Sequence, residues 1–484
     1  MTKRAVEDSF NVSCITPSRP FLIREVRFSC KVEAARCRRQ RRVIFSLAME
    51  HSGRGETMIP ELRDLFNQRF TAERYVALLE LLGARCGAEV EFRVAETPIF
   101  VSQSVLAEMA KAGVELARSL MADPDYLIAA RKAIPQGYCV ASETTHPHFL
   151  TADFALVRNE NDNLEPRLVE IQAFPSVFGY QAVLNAVYRE IFDLPGSLGE
   201  YLSGLDEASY WELLARTVLG GKNPENVALI DVDPRHQKTR PDFEITAKKL
   251  GIAVVDIQRI EPAGNKLYYR NTSGRIVPIH RIYNRAIADE LFSRIVHLQF
   301  DLTHPWDVEW AVHPNWYFLI SKFSLPWLSR PLAGFKVVPP AAFLGDFLAG
   351  PGRAALAASG VLLPAATGPQ TVYGELLLKP LFSFAGKGIE FDPTQKQLEA
   401  IAAGSRDNYL VQQRMRFEPT IETPHGLTQA EIRILYLWPD GGTLTPALSL
   451  VRLGRGKMMG VDQNRNQEWV GASAAFYPRE RAGS

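Results

Sequence analysis

Asp153 to Gly179 reads DFALVRNENDNLEPRLVEIQAFPSVFG. Two short apolar runs, 153–158 and 167–173, flank Asn159, Asn161, Asp162, Asn163 and Pro166, all turn formers. The pattern predicts a β-hairpin with a longish tip. Strand side chains alternate, so Val169 and Ile171 are expected on one face and Glu170 and Gln172 on the other. With Val157 facing Leu168, Asp153 falls beside Gln172. Two carboxylates and an amide oxygen, Asp153, Glu170 and Gln172, then share one face of a rigid ribbon. Hard oxygen donors of this kind suit Mg²⁺, which takes few protein ligands and completes its shell with water and phosphate oxygens. A solvated polar face on an ordinary hairpin is the competing reading.

Outward from that ribbon, the 484-residue chain is long enough for two or three domains. Its 46% hydrophobic and 23% charged residues are those of an ordinary globular protein. The net charge of +1 hides an asymmetry. Residues 1–48 carry 11 Lys/Arg against 4 Asp/Glu, leaving residues 49–484 with 44 against 50, so the body is mildly acidic. That gives no push towards nucleic acid. Residues 1–48 lack a secretory apolar core, and Glu7, Asp8, Glu25 and Glu33 interrupt any presequence pattern. They are expected to be a disordered basic extension, or translated sequence upstream of a start at Met49. Cys14, Cys30, Cys37, Cys86 and Cys139 form no CxxC and are expected to be free thiols of a reducing, cytoplasmic location. No apolar run approaches the length of a membrane span.

Between Pro60 and Ala122 apolar residues recur three and four apart, predicting about three amphipathic helices, with Gly83 and Gly87 near the end of the second. Tyr138–Val140 reads as a short strand. His146 and His148 flank Pro147 without a Cys or acid at ligand spacing, so a loop is expected rather than a zinc site. Tyr180–Phe192 and Ala208–Val218 read as helices, and Gly220, Gly221, Asn223 and Pro224 mark a boundary. Beyond it, Val227–Val232, Asp242–Leu250 and Ile252–Ile257 read as strand, helix and strand, a βαβ unit with parallel pairing. Ile279–Tyr283 is a further expected strand. Ligands of open α/β sheets bind at the carboxyl ends of strands, so Asp231, Asp233, Arg235 and Arg285 are candidates to line a pocket.

A second informative stretch, Glu375–Ile389, reads ELLLKPLFSFAGKGI. A strand delivers Lys379, and Ser383, Gly386 and Gly388 make a small-residue loop carrying Lys387. Glycines let backbone N–H groups curl around phosphate oxygens, and lysines neutralise their charge. No GxxxxGK[ST] motif is present, and Gly454–Gly460 (GRGKMMG) does not fit the dinucleotide fingerprint. Strands are expected at Tyr409–Gln413, at Ile432–Leu437 after Glu431, and at Ala447–Val451, which delivers Arg452. Asn464, Asn466 and Gly471 close the series.

Lys379-Pro380 with its SFAGKG loop, the Val411-Gln412-Gln413 strand, Glu431-Ile432-Arg433 and the later Arg and Asn resemble the ATP-grasp nucleotide site. The acidic ribbon precedes the phosphate loop here, an order that resembles the circularly permuted ATP-grasp group, including eukaryotic-type glutathione synthetase and glutathionylspermidine synthetase. Ala152-Asp153-Phe154, Glu170-Ile171-Gln172 and Ser176-Val177-Phe178-Gly179 are similar to that family's S-D-Y, E-I-N and S-x-F-G. Ser321-Lys322 and Tyr283-Asn284-Arg285 add weaker matches. Three departures stand out. Gln172 replaces Asn, Thr151 stands where an Arg grips substrate, and the loop acid is absent, with Phe384 and Ala385 nearby. These count against γ-glutamylcysteine as the substrate.

The resemblance implies an α+β fold: a permuted ATP-grasp with an inserted Rossmann-like α/β domain and an N-terminal helical region. The divisions are 1–48, 49–222 (helices and metal hairpin), 223–334 (α/β substrate domain) and 335–484 (the remainder, with the phosphate loop). It implies an ATP-dependent carboxylate–amine ligase working through an acyl phosphate. A phosphotransferase on the same fold, or a nucleotide-binding protein without catalysis, are the alternatives. ATP would meet Lys322, Lys379, Ser383, Gly386, Lys387, Gly388, Gln412 and Gln413. Mg²⁺ would meet Asp153, Glu170 and Gln172. Arg433 and Arg452 would stabilise the transferring phosphoryl group, and Ser176 and Arg285 would contact the acyl substrate. The expected partners are small-molecule carboxylate and amine substrates, with no nucleic acid and no membrane, in a chain that could pair as a homodimer.

Overall fold

The computed structural model describes residues 57–287, 291, 296–383, 386–460, 464 and 466–479. The expectations for residues 1–48, including Cys14, Cys30 and Cys37, and for Phe384 and Ala385 lie outside the described residues. The architecture is mixed α and β, with several sheets and, among the described residues, 12 α-helices.

An antiparallel sheet carries everything else. Its strands run Gly471–Ser473, Thr445–Gly454, Gly426–Leu437, Phe149–Arg158 and Leu164–Gln172, with Pro419–Thr423 added on Gly426–Leu437. Alternation sorts its two faces. Leu150, Ala152, Phe154, Ile171, Ile432, Ile434 and Val451 go into the core, and the intervening polar residues go to the other side. Beneath the core face lies the Gln103–Ala122 helix, which Ser102 caps through its hydroxyl. A Cβ at Gly113 would collide with the Tyr436 ring, so glycine there permits the close approach of helix and sheet. The Tyr436 hydroxyl, at 3.2 Å from both, is within reach of the Met109 and Ala110 carbonyls.

The central hairpin is longer than its apolar runs suggest, and its register differs. The tip tightens because the Asn159 side-chain oxygen accepts from the N–H groups of Asn161 and Asn163. Val157 faces Glu165, and Asp153 faces Glu170; Gln172 lies opposite Thr151. The pairing shifts by one between Asp153 and Phe154, a bulge at Val169. That extra residue turns Val169 to the same side as Glu170 and Gln172, against the strict alternation expected, while Leu168 and Ile171 stay buried in the core.

The parallel sheet runs Glu309–Trp310, Arg281–Asn284, Val227–Asp231, Ala253–Asp256, with the Arg240–Leu250 helix as the crossover. The strand expected at Ile279–Tyr283 is in fact two. Ile276–Ile279 pairs with Lys266–Arg270 in a small antiparallel sheet, and Arg281–Asn284 joins the parallel one. Tyr138–Val140 is not a strand. His146 and His148 lie in a loop; His146 stacks on Trp438, and His148 bonds Asp440 at 2.8 Å.

A third sheet, Ala341–Phe343, Tyr409–Gln413, Leu376–Pro380, Glu390–Phe391, is antiparallel and carries Lys379. The helices at Pro60–Arg69 and Ala72–Cys86 form as their periodicity requires, and Gly87 (φ 69°) ends the second in the left-handed region. Pro124–Lys132 is a further helix that the sequence reading did not separate. Among the described residues no helix is long and apolar enough to cross a membrane.

Candidate active site

The polar face of the central sheet looks into a cavity of about 650 Å³. Three separate parts of the chain close it. The hairpin contributes Glu170 and Gln172, the parallel unit Asp231 and Arg285, and the third sheet Lys379 and Gly386. Glu170 and Lys379, 209 positions apart in the sequence, therefore share one cavity.

At its floor lies a buried ionic cluster. Asp153 is 1% exposed and does not line the cavity. Arg433 grips it with both ends of its fork, Nε to Oδ1 at 2.5 Å and Nη2 to Oδ2 at 2.6 Å. Arg452 Nη2 reaches the same Oδ2 at 2.5 Å and also bonds Glu431. The register explains the arrangement, since Asp153 pairs with Arg433, and Arg452 with Glu431, as direct neighbours across the sheet. Burial pushes the Asp153 carboxyl up, but the two guanidiniums outweigh it and hold it below the ordinary value. The Glu431 carboxyl is raised, chiefly by burial. Asp153, expected among the oxygen ligands, is thus committed to two arginines, while Glu170 and Gln172 reach the cavity. Glu170 makes, among the described residues, only longer ion pairs, 3.5 Å to Lys322 and 3.9 Å to Arg433. Among the described residues no three His, Cys, Asp or Glu side chains gather as a metal site.

Lys322 and Lys379 both line the cavity. The Ala173 N–H bonds Ile320 O at 2.9 Å, which docks the Ser321-Lys322 turn against the end of the hairpin. Lys322 Nζ donates to the Ser383 carbonyl at 2.6 Å, and Lys379 Nζ to Gln412 Oε1 at 2.6 Å. Burial brings the Lys379 ammonium down to about 8. Of the glycine loop, Gly386 lines the cavity; Lys387 and Gly388 are exposed outside it, and Ser383 borders a small adjoining cavity. Gln412 is buried as the partner of Lys379, and Gln413 does not line the cavity either.

Arg433 Nη1 lies 3.0 Å from Ser176 Oγ, and Ser176, Arg433 and Arg285 all line the cavity. Of the strand-end candidates there, Asp231 lines the cavity, whereas Asp233 and Arg235 do not. Asn464 lies behind the Gly454–Gly460 loop, its Nδ2 donating to Met458 O and Gly460 O.

Sequence reasoning missed the residues just past Gln413. Arg414, Met415, Arg416 and Phe417 line the cavity, together with Leu377, Ile389 and Phe391. The signal was present in the interleaved basic and apolar residues Arg414-Met415-Arg416-Phe417 after the strand. It also missed Arg455, Lys457 and Met458, whose GRGKMMG segment was weighed only as a dinucleotide motif.

No family model matches this sequence, and no curated protein does. Among solved structures, a glutathione synthetase-like effector from Globodera pallida superposes with a TM-score of 0.54 at 11% identity, over 84% of this chain and 96% of that one. A provisionally assigned gamma-glutamylcysteine synthetase from Methylobacillus flagellatus aligns at a TM-score of 0.32 and 13% identity, over 72% and 83% of the two chains, too loosely to carry an argument. The fold is glutathione-synthetase-like.

Proposed function

We propose that this chain is an ATP-dependent carboxylate–amine ligase on a circularly permuted ATP-grasp scaffold. The observation that carries the reading is the single cavity shared by Glu170 on the hairpin and Lys379 beside the glycine loop, with Lys322, Arg433 and Arg452 around it. A carboxylate is a poor electrophile, so amide formation in water needs an activated acyl group. In this reading the acid attacks the γ-phosphate of ATP, ADP leaves, and an amine attacks the acyl carbon, losing a proton as the C–O bond to phosphate breaks and inorganic phosphate leaves. The protein supplies position and charge.

Lys322 and Lys379 hold the phosphates, trading the Ser383 and Gln412 oxygens for phosphate oxygens. Backbone N–H groups around Gly386 cover them. Arg452 and Arg433, held at the floor by Asp153, offset charge on the transferring phosphoryl group. Met415, Phe417 and Phe391 receive the base. Ser176 and Arg285 orient the acid. The donors facing the cavity fit Mg²⁺: among the described residues Glu170 has no close hydrogen-bonding cation, Gln172 and Glu431 also line the cavity, and one or two carboxylates with substrate phosphates are its usual holding. When bound it would supply positive charge that offsets that of the phosphate groups.

A thermal-shift titration with Mg-ATP, followed by phosphate release against pools of acids and amines, tests the reading. Lys379→Ala is expected to lower acid-stimulated phosphate release by about 10²-fold or more; unchanged release would defeat it. Turnover that needs no amine would instead mark a phosphotransferase, and binding without release a non-catalytic nucleotide binder.

A further inference from the structure

We propose that Asp242 is a positioning residue that fixes Arg285 in the cavity wall and ties it to the helix following Ser176, so that two acid-facing groups share one frame. The proposal rests on the ligase reading, in which Arg285 meets the carboxylate of the acyl substrate.

Asp242 belongs to the Arg240–Leu250 helix, and its side chain is fully buried. One oxygen, Oδ2, accepts from Arg285 Nη1. The other, Oδ1, accepts the Tyr180 N–H at 3.0 Å. Tyr180 stands in the first turn of the Phe178–Ile191 helix, where backbone N–H groups have no partner within the helix. The N-cap residue of that helix is Val177, which makes no side-chain cap, so Asp242 supplies one from another part of the chain. Gly179 makes the approach possible. A Cβ there would run into Thr246 Oγ1 and sit 3.3 Å from Asp242 Oδ1.

Arg285 is 5% exposed yet lines the cavity. Its guanidinium lies 4.8 Å from the Phe243 ring centroid, and its Nε has no hydrogen-bond partner among the described residues. That nitrogen is enclosed rather than turned to the cavity, so it is the remainder of the planar fork, anchored at Nη1 and part of the cavity wall, that is suited to a carboxylate. Ser176 immediately precedes the capped helix and contacts Arg433. One carboxylate therefore sets the spacing between Arg285 and Ser176. A buried ion pair contributes little net stability by itself, so stability alone does not account for this pair.

The test is calorimetric binding of Mg-ADP and, with Mg-ADP present, of four probe acids: L-glutamate, L-aspartate, γ-glutamylcysteine and succinate. Asp242→Asn keeps an acceptor for Tyr180 but removes the charge that holds Arg285. For the tightest of the four acids its Kd is expected to rise about tenfold to a hundredfold, with Kd for Mg-ADP within twofold of wild type. In an Arg285→Met background, Asp242→Asn should add nothing, because there is no fork left to position. Val177→Ser gives the helix its own cap and keeps the test open if Asp242→Asn folds poorly. The double variant Val177→Ser/Asp242→Asn should recover stability while retaining the acid-binding defect. Parallel weakening of nucleotide and acid, additivity with Arg285→Met, or recovery of acid binding by Val177→Ser would overturn the proposal. So would a wild type that binds Mg-ADP and none of the four acids. A wild type that binds no Mg-ADP removes the ligase reading first, and this proposal with it.

Discussion

Asp153→Asn separates two roles for the residue that heads the decisive stretch. If Asp153 anchors the arginines, the substitution removes the negative charge and one of the two oxygens that accept three charge-assisted hydrogen bonds, all between 2.5 and 2.6 Å, at a site 1% exposed. Removing one partner of a buried ionic pair typically costs about 3–5 kcal/mol. Here Glu431 still holds Arg452, and Glu170 lies 3.9 Å from Arg433, so the stranded positive charge is partly offset. The expected loss is therefore near the lower end, about 3 kcal/mol, measured by urea unfolding of the ligand-free protein in the presence of a chelator. The pH dependence carries a sign. A carboxyl held below its ordinary value binds fewer protons folded than unfolded. Its contribution is complete above the unfolded value of 3.8 and fades as pH falls through the lower folded one. The gap between wild type and Asp153→Asn should thus be constant from pH 5 to 7 and shrink below pH 3.8. If the variant unfolds within about 0.5 kcal/mol of wild type but loses Mg²⁺-dependent nucleotide binding, Asp153 is a cation ligand and the anchoring argument is wrong.

Two further outcomes concern the third-sheet side of the cavity. Burial holds Lys379 at about 8, so in the empty protein its ammonium is complete below that pH and lost above it. Mg-ATP affinity should fall as pH rises through 8, by up to about tenfold per unit, with buffer-dependent proton uptake in calorimetry. Lys379→Arg should flatten that dependence, and a profile that stays steep in the variant would refute the assignment. Gly386 has φ +72°, and an added Cβ would meet the end of the Met458 side chain. Gly386→Ala should cost about 1–2 kcal/mol locally and weaken Mg-ATP binding by about tenfold, with the urea midpoint little changed; equal effects on midpoint and affinity would count against a role for the loop in covering phosphate.

Much of the fold was legible because its signals are local. The βαβ unit at 227–256 shows as two apolar strand runs around an amphipathic helix, and parallel pairing follows from the crossover. Tyr409–Gln413 appears with the bounds read from the sequence. What failed was register. The bulge at Val169 is invisible to a period-two count, because nothing in Leu168-Val169-Glu170 distinguishes an extra residue from the next alternation. Its effect is large: Asp153 moves from beside Gln172 to beside Glu170. Likewise one strand ends at Ile279 and another begins at Arg281, with His280 between them, within what reads as a single strand.

The cavity was legible by residue type more than by role. Acids, lysines and arginines brought together from distant strands were identified from the sequence, but sequence order does not say which cation neutralises which anion. Lys379 is the clear case. A lysine beside a glycine loop reads as a phosphate contact, yet its ammonium is depressed by burial, with Lys322 adding to the effect, and its hydrogen-bond partner Gln412 is brought alongside by pairing between Leu376–Pro380 and Tyr409–Gln413. The same holds at Asp153. One sheet register converts an acid that could hold a cation into the counter-ion of two guanidiniums, and leaves Glu170 facing the cavity with, among the described residues, no close hydrogen-bonding cation. Charge identity is written in the chain, whereas charge assignment is a property of strand pairing. It is the pairing that variants at Asp153 interrogate.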